Sequence, residues 1–186
     1  YAFFKMSVNF LPALQKAISA RVDLFDEKHQ SAFRLFNGFL EGNSDIAIDL
    51  YARTAVIHNY ADSPTEGEKF VHIAKELLLK EFDWLKAIIV KTRKGESSQK
   101  KNGVFIFGEK ADDRIREHGI WYALDLTMNR DASLYLDTRS LRKWTIENLH
   151  GKQVLNTFAY TGSLGVASQA ASAERVVQTD LSRKFL

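Results

Sequence analysis

Two glycines and one aspartate near the carboxyl end of the sequence are spaced as in a nucleotide-binding site. Gly162 and Gly165 lie in a turn between a predicted strand over residues 153–158 and a predicted helix. Glycine lets a backbone approach a ligand closely, and open α/β sheets bind ligands at such a turn. Asp180 follows eighteen positions after Gly162, close to the spacing at which a carboxylate accepts hydrogen bonds from ribose hydroxyls.

The same turn lacks the third glycine of a dinucleotide site. It reads Tyr160-Thr-Gly-Ser-Leu-Gly165 rather than G-x-G-x-x-G, which argues against an NAD-type oxidoreductase. S-adenosylmethionine has no phosphate and needs no pyrophosphate site at a helix N-terminus, so these residues favour this sulfonium cofactor. The alternative is that Gly162 only makes a tight turn and Asp180 only caps the next helix.

A second set of candidate residues is cationic and lies in a predicted polar loop over residues 91–103. Its members are Lys91, Arg93, Lys94, Lys100 and Lys101, and Glu96 is the only acidic residue among them. Such a cluster can bind RNA phosphates with a salt-sensitive affinity. It can equally form the solvated tip of a hairpin, and the sequence does not decide between the two.

Composition sets bounds on the remaining function classes. The 186 residues carry a net charge of +3 and include no cysteine, which excludes disulfides and thiolate metal sites within this chain. The five histidines have no ligand spacing, so no metal site is predicted. No apolar run approaches the length of a membrane span, and we expect no membrane partner and a cytoplasmic location.

Periodicity predicts alternating helices and strands around these sites. Helices are predicted over 11–26, 65–82, 140–149 and 164–171. Strands are predicted over 31–37, 46–50, 54–58, 85–90, 104–107, 120–126, 133–136, 153–158 and 175–179, with 120–126 and 133–136 paired as a hairpin. The fold class is therefore α/β, with an N-terminal α+β domain over residues 1–115 followed by the start of a Rossmann-like domain over residues 116–186.

Several segments then resemble one family. Residues 155–162, Leu-Asn-Thr-Phe-Ala-Tyr-Thr-Gly, and residues 176–182, Val-Val-Gln-Thr-Asp-Leu-Ser, resemble motif I and the acidic second-strand motif of class I S-adenosylmethionine-dependent methyltransferases. Residues 134–139 resemble the F-L-D-Q-R segment of a bacterial branch that contains ribosomal RNA large-subunit methyltransferases. Residues 33–39 and 48–51 resemble the central domain of that branch.

The resemblance implies a set of cofactor-binding residues. Those on the methionine side of the cofactor would be Asn156, Phe158, Tyr160, Thr161 and Gly162. Asp180 would bind the ribose, and Leu181 would flank the adenine. A wall near the methionine carboxylate would comprise Tyr135, Asp137 and Arg139, and the guanidinium of Arg139 could pair with that carboxylate in a bidentate way.

The resemblance further implies methyl transfer from S-adenosylmethionine to a base, with ribosomal RNA as partner. The family's catalytic residues are expected beyond Leu186, so the 186-residue chain alone is expected to be inactive. The alternative function is a non-enzymatic RNA- or partner-binding module with a vestigial cofactor domain. An open edge on the two-stranded parallel sheet would favour a homodimer.

Overall fold

The computed structural model describes residues 10–183 and 185, which form a mixed α/β structure. The helices are α1 (Phe10–Ser19), α2 (Pro64–Glu81), α3 (Ser98–Asn102), α4 (Arg139–Asn148) and α5 (Ser163–Ala170). The strands are β1 (Ala32–Phe36), β2 (Ile46–Tyr51), β3 (Thr54–Asn59), β4 (Ala87–Thr92), β5 (Val104–Phe107), β6 (Arg114–Glu117), β7 (Ile120–Ala123), β8 (Gln153–Asn156) and β9 (Arg175–Gln178). Single 3₁₀ turns cover Val22–Leu24 and Leu136–Thr138.

A five-stranded sheet in the order β1-β2-β3-β4-β5 is the centre of the structure. The β2–β3 hairpin is antiparallel, and Ala52 in its tight turn adopts a φ of 52°. Strand β4 pairs parallel to β3, because the intervening helix α2 carries the chain back across one face of the sheet. All six residues of β2 and all six of β3 are buried, as expected for strands covered on both faces.

The first hydrophobic core lies between this sheet and helices α1 and α2. Helix α2 begins at Pro64 and contributes a buried stripe of Gly67, Ala74, Leu77 and Leu78. The facing sheet residues include Ile48 of β2, Ile57 of β3 and Ile88 of β4, and each is fully buried. The helical spacing of the stripe explains why the sequence predicts this helix so well.

The second hydrophobic core lies on the opposite face of the sheet. Val56 and Ile89 from the sheet pack there against Ile115 and Tyr122 of the β6–β7 hairpin and against Leu134. This core therefore joins residues on both sides of position 115, where the sequence analysis divides the chain. The division into two domains stays a prediction.

Strands β8 and β9 form a separate two-stranded parallel sheet, connected by helix α5. Helix α5 packs beside α4. The β8-α5-β9 order is that of a parallel α/β unit, in which both strands end at the same edge.

Three local predictions differ from the structure. Helix α1 ends at Ser19 rather than 26, because the Arg21 guanidinium donates to the Ala17 carbonyl (3.0 Å) and to Glu41 (2.8 Å) at the helix end. Residues 133–136 are not a strand. Strand β7 pairs instead with β6, a strand that the sequence analysis missed. The predicted loop over 91–103 contains the short helix α3.

Within the described part of the chain, no helix is both long and apolar enough to cross a membrane.

Candidate functional site

The glycine turn and Asp180 lie in contact at one edge of the β8–β9 sheet. The backbone N–H of Tyr160 donates to Oδ2 of Asp180 at 2.8 Å, and the N–H of Ser182 donates to Oδ1 at 2.9 Å. Because β8 and β9 are parallel and in register, their carboxyl ends bring the turn and the carboxylate together. The proximity that the spacing predicts is therefore present.

Electrostatics keep Asp180 ionised. Hydrogen bonds from the backbone N–H groups of Ser182 and Tyr160 lower the pKa of this carboxyl group below its usual value. The backbone N–H of Leu181 also contributes to this shift, and because a carboxylate offers about four lone-pair sites, these donors leave it with remaining acceptor capacity. The side chain can therefore accept a further hydrogen bond from a vicinal diol such as ribose.

The two glycines of the turn serve close packing between helix α5 and strand β9. Gly162 has a φ of 82°, a conformation that favours glycine. A Cβ atom at Gly165 would lie 2.3 Å from Cδ of Gln178, so the side-chain amide of Gln178 lies directly against the turn. In nucleotide-binding turns one glycine commonly has this packing role.

Apolar side chains remain exposed around the turn. Phe158, which follows strand β8, is 84% exposed, and Leu181, which directly follows Asp180, is fully exposed. Asn156, at the end of β8, is half-buried and its side-chain carbonyl accepts from the N–H of Phe158 at 3.3 Å. A carboxylate with free acceptor capacity beside exposed apolar side chains can bind a ribose and a flat heterocycle together.

The segment before α4 is attached to the turn through two hydroxyl groups. The Tyr160 hydroxyl donates to the carbonyl of Ala132 at 3.0 Å, and the Thr161 hydroxyl donates to the carbonyl of Ser133. The rings of Tyr135 and Tyr160 lie 4.8 Å apart between centroids. Tyr160 itself has a φ of 47°, a conformation that is uncommon for a non-glycine residue and often found at functional sites.

The predicted cofactor residues thus fall into two groups. The structure places Asn156, Phe158, Tyr160, Thr161, Gly162, Asp180 and Leu181 at the turn, and Tyr135 beside them. Asp137 and Arg139 line a cleft against the central sheet, which Tyr135 also lines, and among the described residues neither Asp137 nor Arg139 forms a hydrogen bond with the turn. The Arg139 guanidinium donates to the Ala32 carbonyl at 3.1 Å and lies 4.0 Å from Glu117.

That cleft contains a polar cluster that the sequence analysis missed. Asp49 is 2% exposed and accepts two hydrogen bonds from Arg34, at 2.6 and 3.0 Å, and lies 2.9 Å from Nε2 of His58. Burial alone would raise the pKa of the Asp49 carboxyl group, but the hydrogen bonds and charges of His58 and Arg34 hold it below its usual value. The signal available in the sequence was a single aspartate inside the apolar strand Ile-Ala-Ile-Asp-Leu-Tyr.

The five cations of the 91–103 segment have different environments. Lys91 is only 3% exposed, and its Nζ donates to the carbonyls of Asn129 and Asp131 at 2.8 and 2.9 Å. Lys94 forms an exposed ion pair with Asp62. Arg93 and Lys101 line a small cavity together with Lys91, whereas Lys100 is exposed in α3.

Among residues 10–183 and 185, no three histidine or carboxylate side chains are grouped so that they could hold a metal ion.

Comparison with protein families gives a match over the carboxyl-terminal half of the chain. Residues 88–186 match the family described as S-adenosylmethionine-dependent methyltransferase. The candidate ribosomal RNA large subunit methyltransferase YwbD of Bacillus subtilis (strain 168) is 34% identical over 185 residues, which cover 95% of this chain and 45% of YwbD. Ribosomal RNA large subunit methyltransferase I of Vibrio vulnificus (strain YJ016) is 26% identical and matches all of this chain and 48% of its own length.

The comparison with solved structures agrees with the fold. The candidate methyltransferase SMU.776, solved in complex with SAH, superposes with a TM-score of 0.81 at 23% identity, over 95% of this chain and 45% of its own. This similarity confirms the predicted α/β fold class. The chain spans about half the length of the relatives it matches.

Proposed function

Because this chain belongs to the S-adenosylmethionine-dependent methyltransferase family, we propose that its glycine turn and Asp180 form the adenosyl half of a cofactor site. The observation that carries the proposal is the 2.8 Å hydrogen bond from the Tyr160 N–H to the Asp180 carboxylate at the carboxyl edge of β8 and β9. It fixes the carboxylate beside the turn, and the carboxylate keeps acceptor capacity for a ribose hydroxyl.

The chemistry of the residues present fits this cofactor. Asp180 is ionised and accepts hydrogen bonds from the ribose, and the exposed side chain of Leu181 packs on the adenine. We place Phe158, Tyr160 and Thr161 next to the methionine portion of the cofactor. When bound, the cofactor supplies an electrophilic methyl group on a sulfonium. The task of this chain is to orient that group, and correct positioning alone can contribute several kcal/mol to catalysis.

We assign fewer residues to the wall near the methionine carboxylate than the family resemblance implies. Tyr135 lies against Tyr160 and belongs to the methionine side of the site. Asp137 and Arg139 face the sheet cleft, and the Arg139 guanidinium already donates to the Ala32 carbonyl. Because the Arg139 side chain is held at Ala32 and lies 4.0 Å from Glu117, whereas the Tyr135 ring contacts Tyr160 of the turn, we propose Tyr135 as the principal wall residue.

The substrate we propose is a base of ribosomal RNA. Relatives along the whole chain carry names of ribosomal RNA large subunit methyltransferases, and the net charge of +3 agrees with an anionic partner. An RNA substrate of this kind agrees with the expected cytoplasmic location. The α+β region over residues 1–115 would then be the RNA-contacting part and residues 116–186 the start of the catalytic domain.

The test is methyl transfer by a protein that extends this chain to the length of its relatives. Unmodified large-subunit ribosomal RNA, transcribed in vitro, is incubated with S-adenosylmethionine that carries a labelled methyl group. We expect label in the RNA, and at least about tenfold less with Asp180→Ala, because charge-assisted hydrogen bonds to the ribose are lost.

The matched control is Asp83→Ala, which removes an exposed carboxylate after helix α2 and should leave the rate unchanged. Label that appears in protein or small molecules but never in RNA would contradict the proposed substrate. An unchanged rate for Asp180→Ala would contradict the proposed cofactor site.

A further inference from the structure

A band of polar side chains crosses the face of the central sheet that carries the second core. Arg34 of β1 is paired in register with Asp49 of β2, and His58 of β3 is paired with Lys91 of β4. On the same face, Val56 and Ile89 are fully buried in apolar surroundings. Polar groups on such a face are unfavourable unless they are paired, and their concentration at one end of the sheet marks a specific site.

Arg34, Asp49 and His58 of this band form the floor of a cleft with a volume of about 370 Å³. Its opposite wall is the segment that contains Asp131, Tyr135 and Asp137. The volume lies in the range of small-molecule sites. The lining includes cations, carboxylates and aromatic rings, and the Arg34 side chain is 40% exposed toward solvent. Mixed donors and acceptors beside aromatic rings suit the edges and faces of an unstacked base.

A second cavity of about 210 Å³ continues from the first and differs in charge. The two cavities share His58, Tyr60 and Asp131. Among the described residues, the second cavity adds no further carboxylate and four cations, which are Lys91, Arg93, Lys101 and Arg130.

Three of these cations form what we call the cationic rim, namely Arg93, Lys101 and Arg130. None of the three makes a salt bridge with any residue in the described part of the chain, whereas the ammonium of Lys91 is bound to two carbonyls. The Arg93 guanidinium lies 5.8 Å from the ring centroid of Tyr60. Unpaired cations that converge on one cavity favour a phosphate.

The cleft also reaches the glycine turn. Tyr135 lines the cleft, and its ring lies 4.8 Å from that of Tyr160. The Tyr160 hydroxyl donates to the carbonyl of Ala132, in the loop between the two cavities and the turn. A nucleotide in the cleft would thus lie beside the methionine side of the proposed cofactor site.

We infer that the cleft and the cationic rim together bind one nucleotide of single-stranded RNA, with the base over Arg34 and Asp49 and its phosphate on the rim. Asp131 faces both cavities and supplies an acceptor for the ribose 2′-hydroxyl, a group that distinguishes RNA from DNA. The inference rests on the proposed function, since it names the segment of the chain that holds the RNA substrate near the cofactor.

The first experiment measures the affinity of the 186-residue chain for a short, fluorescein-labelled single-stranded RNA by anisotropy at several salt concentrations. In the rim variant, Arg93, Lys101 and Arg130 are all replaced by alanine. We expect RNA affinity to fall about tenfold or more. The slope of log affinity against log salt should decrease by about 0.7 for each phosphate that the rim neutralises.

The control variant carries the same change of charge on the opposite face of the sheet. Lys16, Lys69 and Lys80 are exposed on helices α1 and α2, and their replacement by alanine should leave affinity within a factor of two or so. Equal affinity of the rim and control variants would overturn the inference. So would an equal loss of binding to a polyglutamate peptide, because the rim would then bind any polyanion.

The second experiment locates the base without any substitution. RNA that carries 4-thiouridine is photocrosslinked to the chain, and the modified peptides are identified by mass spectrometry. We expect crosslinks at Tyr60 and Tyr135. Crosslinks confined to surfaces outside the cleft, for example at the exposed Phe39, would contradict the placement of the base.

Cofactor binding is measured in parallel with the rim variant. Loss of RNA affinity with unchanged S-adenosylmethionine affinity supports a separate nucleotide site. RNA binding through the rim in a protein that binds no S-adenosylmethionine would contradict the proposed function and leave the nucleotide site in place. The two failures are therefore distinguishable.

Discussion

Replacement of Glu117 by alanine should strongly destabilise the fold, because it leaves a buried guanidinium without its counterion. The side chains of Glu117 and Arg142 are both fully buried. Arg142 donates to both carboxylate oxygens, at 2.7 and 3.0 Å, and its third nitrogen donates to the Tyr135 carbonyl and the Thr138 hydroxyl. The pair thus fastens strand β6 to helix α4 and to the segment that presents Tyr135.

The magnitude follows from burial and geometry. Removal of one partner from a buried ion pair destabilises by about 3–5 kcal/mol, a large share of the roughly 5–15 kcal/mol that stabilises a typical domain. At roughly 2–4 °C per kcal/mol for a chain of this size, the melting temperature should fall by about 6–20 °C. Urea unfolding followed by circular dichroism measures the free energy of unfolding directly.

Two further variants test whether the loss of stability comes from the buried ion pair rather than from the removal of any charged side chain. Replacement of both Glu117 and Arg142 by methionine should restore much of the lost stability, since neither charge is then buried alone. Glu147→Ala breaks an ion pair with Lys143 in which both side chains are more than half exposed, and should change stability by less than about 0.5 kcal/mol. If Glu117→Ala is no more harmful than Glu147→Ala, the reasoning is refuted.

Three further perturbations have defined outcomes. Burial lowers the pKa of Lys91 to about 8 from 10.5. Between these two pH values the unfolded chain binds more protons than the folded chain, so the free energy of unfolding should rise with pH by up to about 3 kcal/mol. Urea titrations of Lys91→Met should show no such rise, and parallel pH curves for the two proteins would contradict this. Tyr160→Phe removes the hydrogen bond to Ala132 and should accelerate hydrogen exchange in residues 129–133, whereas unchanged exchange would exclude that role. Asp49→Asn should destabilise the fold by about 3 kcal/mol at pH 7. Because the pKa of Asp49 is lowered in the folded state, the stability that its carboxylate contributes should be lost as pH falls through the folded pKa. A difference in unfolding free energy between the two proteins that does not change with pH would contradict this.

Local signals explain the parts of the fold that the sequence predicts. Strands β2 and β3 and helix α2 are apparent from alternation, from a short turn and from a helical apolar stripe, all of which act over a few residues. The contact between the glycine turn and Asp180 follows from one rule of topology, namely that the carboxyl ends of neighbouring parallel strands share an edge.

Long-range pairing explains the parts that the sequence does not reveal. The sequence of strand β6 looks polar because one of its two buried residues is Glu117. The partner of Glu117, Arg142, lies twenty-five positions away. Residues 133–136 look like a strand, yet Leu134 packs into the second core from an irregular segment. Arg34, Asp49 and His58 come together only through the register of three strands.

The central claim is that the turn at residues 160–165 and the Asp180 carboxylate hold the adenosyl moiety. Isothermal calorimetry of S-adenosylmethionine with the protein at the full length of its relatives tests this most directly. The claim predicts saturable binding that weakens at least about tenfold in Asp180→Ala and is unchanged in Asp83→Ala. Binding of equal strength in all three proteins, or no binding in the unsubstituted protein, would contradict it.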